Sequence, residues 1–152
     1  MSAMKDLLRE HLTASIKARD ELRSSTLRMV LTSISNAEVA GKQARELSDE
    51  DITGVLASEA KRRREASAAF DAAGRDELAA KERAEAAILA EYLPEPMTYD
   101  EVRSVVTATI ADLGVAGDGM RAMGRVMGAV TPQVKGRADG AAVSAEVRRQ
   151  LT

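Results

Sequence analysis

Apolar residues recur along most of this chain at steps of three, four or one, which is the spacing of one face of an α-helix. The first such stripe runs through Met4, Leu7, Leu8, Leu12 and Ile16. No segment alternates strictly between apolar and polar residues, as a half-buried strand does. Aromatic residues, which strands favour, are only 2 % of the chain, and most of the apolar content is Ala, Leu, Val and Met. Pattern and composition together predict an all-α fold.

The stripes predict seven helices. Four precede residue 93, over about 3–18, 20–40, 48–73 and 76–92, and three follow it, over about 99–113, 120–131 and 140–151. Asp20 and Ser48 are suited to cap helix N-termini, and Thr98 with Glu101 has the spacing of a capping box. Pro132 is expected to end or kink the sixth helix, because proline lacks the N–H that the helical ladder needs.

The clearest boundary in the chain is Leu-Pro-Glu-Pro-Met at residues 93–97, which holds two of the three prolines. Each proline disfavours helix in the residue before it, so two so close together end any helix. The sequence therefore predicts two helical subdomains, residues 1–93 with four helices and residues 97–152 with a three-helix bundle.

Several classes of chemistry are excluded by what the chain lacks. It has no cysteine and one histidine, His11, so disulfides, thiolate metal sites and cysteine nucleophiles are ruled out. No nucleophile elbow, phosphate-binding loop or dinucleotide fingerprint is present. We therefore expect no catalytic residue, no cofactor and no metal. Acidic residues among the first ten positions argue against a signal peptide, and a cytoplasmic location is expected.

The last third of the chain carries two adjoining motifs. Met-Gly-Arg-Val-Met-Gly occupies residues 123–128, and Lys-Gly-Arg-Ala-Asp-Gly occupies residues 135–140. Together with Glu-Tyr-Leu-Pro at 91–94 and Leu-Arg-Met at 27–29, they closely resemble the GatB/YqeY family, with its standalone YqeY-like branch as the better fit. The likeness extends over essentially the whole chain, and the two C-terminal motifs in combination are specific.

The resemblance implies a fold of two all-helical subdomains, four helices and then three. It also implies a connection with tRNA. A similar module forms the tail of the B subunit of the glutamine-dependent amidotransferase that makes Gln-tRNA and Asn-tRNA, where it helps to engage the tRNA, and some glutaminyl-tRNA synthetases carry a comparable appendage. The catalytic portions of the amidotransferase lie outside this module. The resemblance thus implies a non-catalytic accessory module whose partner is tRNA, an aminoacyl-tRNA synthetase or an amidotransferase. A label of carbon–nitrogen ligase would be inherited from the family.

Four residues of the motifs have structural interpretations. Gly124 and Gly128 lie four apart on one predicted helix, where they would form a flat face for close packing of another helix. The alternative is a bare backbone surface that a phosphate or a partner approaches. Gly136 is expected to adopt a positive φ in a helix–helix turn, and Asp139 to cap the last helix.

The C-terminal segment is basic and supplies the candidate RNA-binding residues. Residues 113–152 hold six basic and three acidic residues, a net charge of +3, within a chain of net charge −2. Lys135 and Arg137 flank the predicted turn and are expected to point to solvent. Cations beside the exposed N–H groups of a helix start suit phosphate. No aromatic residue follows Tyr99, so contacts to the RNA backbone are expected rather than base reading. The six candidates are Arg121, Arg125, Lys135, Arg137, Arg148 and Arg149.

A protein–protein interaction module without RNA contact is the alternative function. Met120, Met123 and Met127 have helical spacing and are expected to fill a core, although methionine also suits an adaptable docking surface. The basic run at residues 61–64 spreads around most of a helix, and flanking glutamates offer ion pairs, so a solvated face is expected there.

Overall fold

The computed structural model describes residues 2–152, which form seven α-helices and no strand. The all-α prediction is therefore confirmed. A short 3₁₀ turn, Gly119–Ala122, precedes the sixth helix. The helices are α1 (Ala3–Lys17), α2 (Glu21–Val39), α3 (Asp49–Ala72), α4 (Asp76–Ala90), α5 (Tyr99–Leu113), α6 (Met123–Val134) and α7 (Gly140–Leu151). None of the helices in this range combines the length and the apolar composition that a membrane span requires.

The chain divides into two compact units at the proline-containing segment, the first ending at Leu93 and the second comprising Pro94–Thr152. In the first unit, α3 packs along α4 and α1 packs along α2. Its core is fully buried leucine, isoleucine and valine from α1 to α4, with Leu47 from the loop before α3. The members are Leu8, Leu27, Val30, Ile34, Leu47, Ile52, Leu56, Ala60 and Leu89.

In the second unit, α5 packs against both α6 and α7, and the 3₁₀ turn contacts α6 and α7. The core is built mainly of valine. Valine is short, so three helices that pack on valines can approach one another closely. Its side chain is also β-branched and has few rotamers, so little side-chain freedom is lost on burial. The buried members are Val102, Val106, Ile110, Val115, Ala122, Val126, Val130, Val134, Val143, Val147 and Leu151.

Three of the predicted helix N-caps, Asp20, Ser48 and Thr98, are confirmed. Asp20 accepts a hydrogen bond from the backbone N–H of Arg23 at 3.1 Å. Ser48 and Thr98 each form a complete capping box. These side chains satisfy backbone donors that have no partner inside the helix, which fixes where each helix begins.

The sixth helix differs from the prediction at both ends. It starts at Met123, after the 3₁₀ turn, and it continues through Pro132 to Val134. Proline removes the hydrogen bond to the carbonyl four residues earlier, which here belongs to Gly128. Gly128 is exposed, so that carbonyl can be hydrated. Val130 and Val134 are buried in the core, and their burial holds the last turn in helical form.

Candidate functional site

Helix α6 has a buried face of valines and an opposite face that includes Gly124, Arg125, Gly128 and Pro132, all exposed. A Cβ atom built on either glycine would meet no heavy atom within 4 Å outside its own helix backbone. The expectation that Gly124 and Gly128 form a packing face for another helix is therefore wrong for the described chain. This face of α6 instead leaves the backbone open to solvent at the two glycines.

A cleft of about 380 Å³ lies at the start of α6, lined by Val115, Asp118, Arg121, Ala122 and Arg125. Arg121 and Arg125 are four residues apart, so their side chains leave the 3₁₀ turn and α6 on the same side. The Arg121 guanidinium has one weak contact, from Nε to the backbone oxygen of Asp118 at 3.4 Å. Arg125 makes no hydrogen bond or ion pair with any residue in the range 2–152. Two guanidiniums thus converge on one concave surface with much of their hydrogen-bonding capacity unused.

Arg137 is engaged within the second unit. Its Nε donates to the backbone oxygen of Glu95 at 2.9 Å, and its Nη2 lies 3.4 Å from an oxygen of Glu101. The expectation that both cations of the 135–140 motif point freely into solvent was therefore incorrect for Arg137, whose side chain is 38 % exposed. Lys135 is exposed at the end of α6 and also has a partner in the structure.

The two arginines of α7 have opposite surroundings. Arg149 is bound to the buried carboxylate of Glu146 by three contacts of 2.6 to 3.1 Å. These contacts raise the pKa of Arg149. Arg148 is exposed and forms no side-chain hydrogen bond or ion pair within the described part of the chain. Of the six candidates, Arg121, Arg125 and Arg148 remain available to a ligand, and they lie on elements that contact one another.

The folded second unit is less basic than its last 40 residues. Residues 94–152 hold seven lysines and arginines and seven aspartates and glutamates, so the unit has no net charge. Helix α5 and the proline segment supply the extra acids, one of which, Glu101, holds Arg137 through its carboxylate. Any positive surface is therefore local to the cleft and to the exposed end of α7.

The turn between α6 and α7 shows what the 135–140 motif does for the fold. Gly136 has a φ of 77°, as predicted. The backbone oxygen of Arg137 accepts a hydrogen bond from the N–H of Met97, in the proline segment, at 2.9 Å. Asp139 occupies the N-cap position of α7 with extended backbone, but its side chain makes no capping hydrogen bond. The motif thus ties the α6–α7 turn to the start of its own unit.

The methionines and the second basic run are only partly as expected. Met123 and Met127 pack against the core, whereas Met120 is 43 % exposed. In the run at residues 61–64, Arg63 is buried rather than solvated. It forms ion pairs with Glu59 and with Glu85 from α4.

The chain's one histidine pairs with a tyrosine of the first unit. His11 is exposed and its Nδ1 lies 2.6 Å from the hydroxyl of Tyr92. Burial raises the pKa of Tyr92. Among residues 2–152 there is no group of three or more histidine, aspartate and glutamate side chains arranged to hold a metal ion.

A family model described as Yqey-like protein matches residues 5–151. The chain belongs to the YqeY family. The match spans both units, so the arginine cleft and the α6–α7 turn lie within the region that matches the family.

Curated relatives of this YqeY domain come from Saccharomyces cerevisiae. "Altered inheritance of mitochondria protein 41, mitochondrial" is 34 % identical over 96 residues, both in strain YJM789 and in strain S288c. The aligned region covers 62 % of this chain and 50 % of the yeast protein. The chain thus matches about half the length of the curated relatives.

Sequence reasoning missed two features of this YqeY domain that bear on function. The first is the cleft, although the spacing of Arg121 and Arg125 was a signal that both face one side. The second is the pairing that removes Arg137 and Arg149 from the candidate surface. Glu146 lies three residues before Arg149 on α7, a spacing that the sequence did offer as a signal. Glu101, the partner of Arg137, comes from α5 and is identifiable only once the unit has folded.

Proposed function

We propose that this YqeY domain is a non-catalytic accessory module that binds the sugar–phosphate backbone of tRNA, alone or on a tRNA-handling enzyme. The observation that carries the proposal is the cleft in which Arg121 and Arg125 converge. Arginine is suited to phosphate because its planar fork of donors matches two phosphate oxygens at once.

The surroundings of the cleft support the same ligand. Next to it, the exposed glycines of α6 leave the backbone uncovered, and a nucleic-acid strand can approach bare backbone more closely than a surface of long side chains. Arg148, exposed at the end of α7, adds a further cation without a partner among residues 2–152. An arrangement of three arginines gives weak, salt-sensitive binding.

The chemistry favours backbone contact over base reading. The second unit has a single aromatic residue, Tyr99, whose hydroxyl is used by Glu146 at 2.8 Å. Single-stranded RNA is commonly bound by stacking on aromatic rings. A surface of arginines and exposed backbone instead recognises the shape and charge of a folded RNA.

The family likeness supports tRNA as the RNA in question. Sequence motifs of the second unit resemble those of the amidotransferase tail that engages tRNA, and the chain belongs to the YqeY family. The name of the yeast relatives refers to inheritance of mitochondria. That name describes the yeast proteins and is not carried over to this chain. A cytoplasmic location for this chain stays a prediction.

A titration of labelled tRNA tests the proposal. The wild-type chain is compared with an Arg121→Ala/Arg125→Ala variant at about 50 and 200 mM salt, a range over which phosphate contacts lose most of their strength. We expect the variant to bind about tenfold more weakly at low salt and to show a salt slope reduced by about 1 to 2.

A matched control removes two cations elsewhere. Lys42 and Lys81 are exposed in the first unit, and their side chains form no hydrogen bond or ion pair with residues 2–152. Lys42→Ala/Lys81→Ala therefore changes the net charge equally. If both double variants weaken tRNA binding to the same extent, tRNA responds to the loss of positive charge in general and the cleft is not its binding site. If wild type binds no tRNA at low salt, the proposal fails.

The second candidate function is a protein-docking module. It is favoured by the absence of net charge on the second unit and by the exposure of Met120 beside the cleft. A pull-down with the intact chain separates the two functions. Partners that persist after nuclease treatment, together with loss of capture in a Met120→Ser variant, favour protein docking. We do not propose amidotransferase activity for this domain.

A further inference from the structure

A groove of about 530 Å³ lies between α2 and α3 of the first unit. Its walls are mostly polar or small side chains from both helices. They are Ser33 and Asn36 of α2, and Asp51, Gly54, Val55, Ser58, Glu59 and Arg62 of α3. The groove belongs to a different unit from the arginine cleft, and the proposed RNA function makes no use of it.

Glu59 is a nine-tenths buried carboxylate that borders this groove. Its Oε1 accepts a hydrogen bond from the Ser33 hydroxyl at 3.2 Å. Its cationic contacts are long, 3.4 Å to Arg62 and 3.4 Å to Arg63. Short charge-assisted hydrogen bonds to carboxylates are about 2.7–2.9 Å, so neither arginine holds Glu59 tightly.

The two arginines are not equivalent partners. Arg63 is buried and is shared with a second buried carboxylate, Glu85, at 3.2 Å. The buried cluster alone therefore holds two negative charges and one positive charge. Arg62 balances it from the rim, but its side chain is 71 % exposed. Exposed ion pairs contribute about 0–1 kcal/mol, so an incoming cation can replace Arg62 at little cost.

Glu59 is the carboxylate of this groove whose ion pairs are longer, at 3.4 Å each. Asp51 already accepts a hydrogen bond from the backbone N–H of Ser48 at 3.2 Å and pairs with Arg45 at 3.2 Å. These contacts lower the pKa of Asp51 and keep it ionised as a cap. A ligand cation is therefore directed toward Glu59.

The dimensions of the groove favour a peptide over a small amine. The α3 residues that line it run from Asp51 to Arg62, which is about 16 Å of helix at 1.5 Å per residue. An extended chain covers that length with about five residues. Gly54, Ser33 and Ser58 are small enough to admit a peptide backbone between the helices.

We propose that this groove is a docking site for a short basic segment of a partner protein, whose lysine or arginine displaces Arg62 and pairs with Glu59. Glu59 supplies the negative charge, and the Ser33 hydroxyl orients the Glu59 carboxylate by its hydrogen bond. The small residues of α3 admit the backbone of the bound peptide. The site would let the first unit hold a protein while the second unit holds RNA.

Fluorescence anisotropy with a defined probe tests this. The probe is a fluorescein-labelled peptide of about seven residues, long enough to span the groove, with lysines separated by alanines. A matched peptide carries glutamates in place of the lysines. We expect the full chain to bind the lysine peptide and not the glutamate peptide. Glu59→Gln should weaken binding about tenfold, as loss of one buried charge-assisted contact predicts.

The decisive comparison uses variants with opposite expected effects. Arg62→Ala removes the competing cation and should tighten binding about two- to threefold, whereas Glu59→Gln weakens it. Glu10→Gln is the control for loss of one carboxylate, because Glu10 is exposed and lies outside the groove. If Glu59→Gln fails to fold, as circular dichroism would show, Arg62→Ala alone carries the test.

Three results overturn the proposal. One is equal binding of the lysine and glutamate peptides. Another is unchanged or weaker binding by Arg62→Ala. The third is complete competition by free spermidine at the affinity of the peptide, which would assign the groove to small polyamines. The Arg121→Ala/Arg125→Ala variant should keep full peptide binding, so failure of the RNA proposal and failure of this one are distinguishable.

Discussion

Replacement of Glu146 by glutamine tests how α7 is held in the second unit. Glu146 is 2 % exposed. Its carboxylate accepts hydrogen bonds from Arg149, from Gln150 at 3.0 Å and from the Tyr99 hydroxyl at 2.8 Å. The Tyr99 contact joins the first turn of α5 to α7. A second link comes from Gln150, which donates to the backbone oxygen of Arg103 at 3.1 Å.

The size of the effect follows from the pKa. The hydrogen bonds from Arg149, with those from Gln150 and Tyr99, lower the pKa of Glu146 from 4.5 to about 2, against the opposing effect of burial. A fall of this size in the pKa corresponds to a contribution of about 3 kcal/mol to the free energy of unfolding at neutral pH. The Arg149 side chain is 57 % exposed, so solvent screening reduces the figure, and we expect about 1.5 kcal/mol.

The sign of the pH dependence is fixed by the direction of the pKa change. The folded-state pKa of Glu146 is below its unfolded value, so its contribution is complete above about pH 4.5 and is lost as the pH falls toward 2. Glutamine does not titrate. The difference in unfolding free energy between wild type and Glu146→Gln should therefore be constant from pH 7 to 5 and shrink below that.

Urea unfolding followed by backbone amide NMR gives the measurement, because resonances from each unit report on that unit separately. Amides of α5, α6 and α7 should show the loss, and amides of α1 to α4 should not. Asp112→Asn is the control, since Asp112 is exposed on α5 and its side chain forms no hydrogen bond or ion pair with the described residues. Equal stability of Glu146→Gln and wild type at pH 7, or a difference that persists unchanged to pH 3, would refute the reasoning.

Two further substitutions test the packing and the backbone. Gly136→Ala should destabilise the second unit by about 1 kcal/mol because φ is positive there. In Gly128→Ala the new Cβ meets open space, so the change should be neutral or should stabilise the unit by up to about 1 kcal/mol. Equal losses of stability in the two variants would contradict the different roles given to Gly136 and Gly128. Leu27→Ala should cost the first unit about 3 kcal/mol, since Leu27 is fully buried. Thermal unfolding by circular dichroism measures all three, and a loss below about 1 kcal/mol for Leu27→Ala would show that the site is not a tightly packed core.

The helices and most of their ends could be predicted from the sequence because their signals are local. The stripe at Leu8 and Leu12, the caps at Ser48 and Thr98, and the positive φ of Gly136 each depend on residues within a few positions of one another. The course of α6 through Pro132 was not predictable in this way. Its last turn is held by burial of Val134 against helices distant in sequence.

The candidate site depended on tertiary structure to a greater extent. The sequence by itself determined an all-α YqeY chain with a basic C-terminal segment, because helical periodicity, caps and net charge are properties of neighbouring residues. Only the folded chain decided which cations are available. Glu101 of α5 binds Arg137, and packing buries Glu146, which lies one turn before Arg149 on α7 and binds it there. Arg121 and Arg125 line an open cleft. An ion pair across helices depends on which faces meet, and that is set by packing of the whole unit.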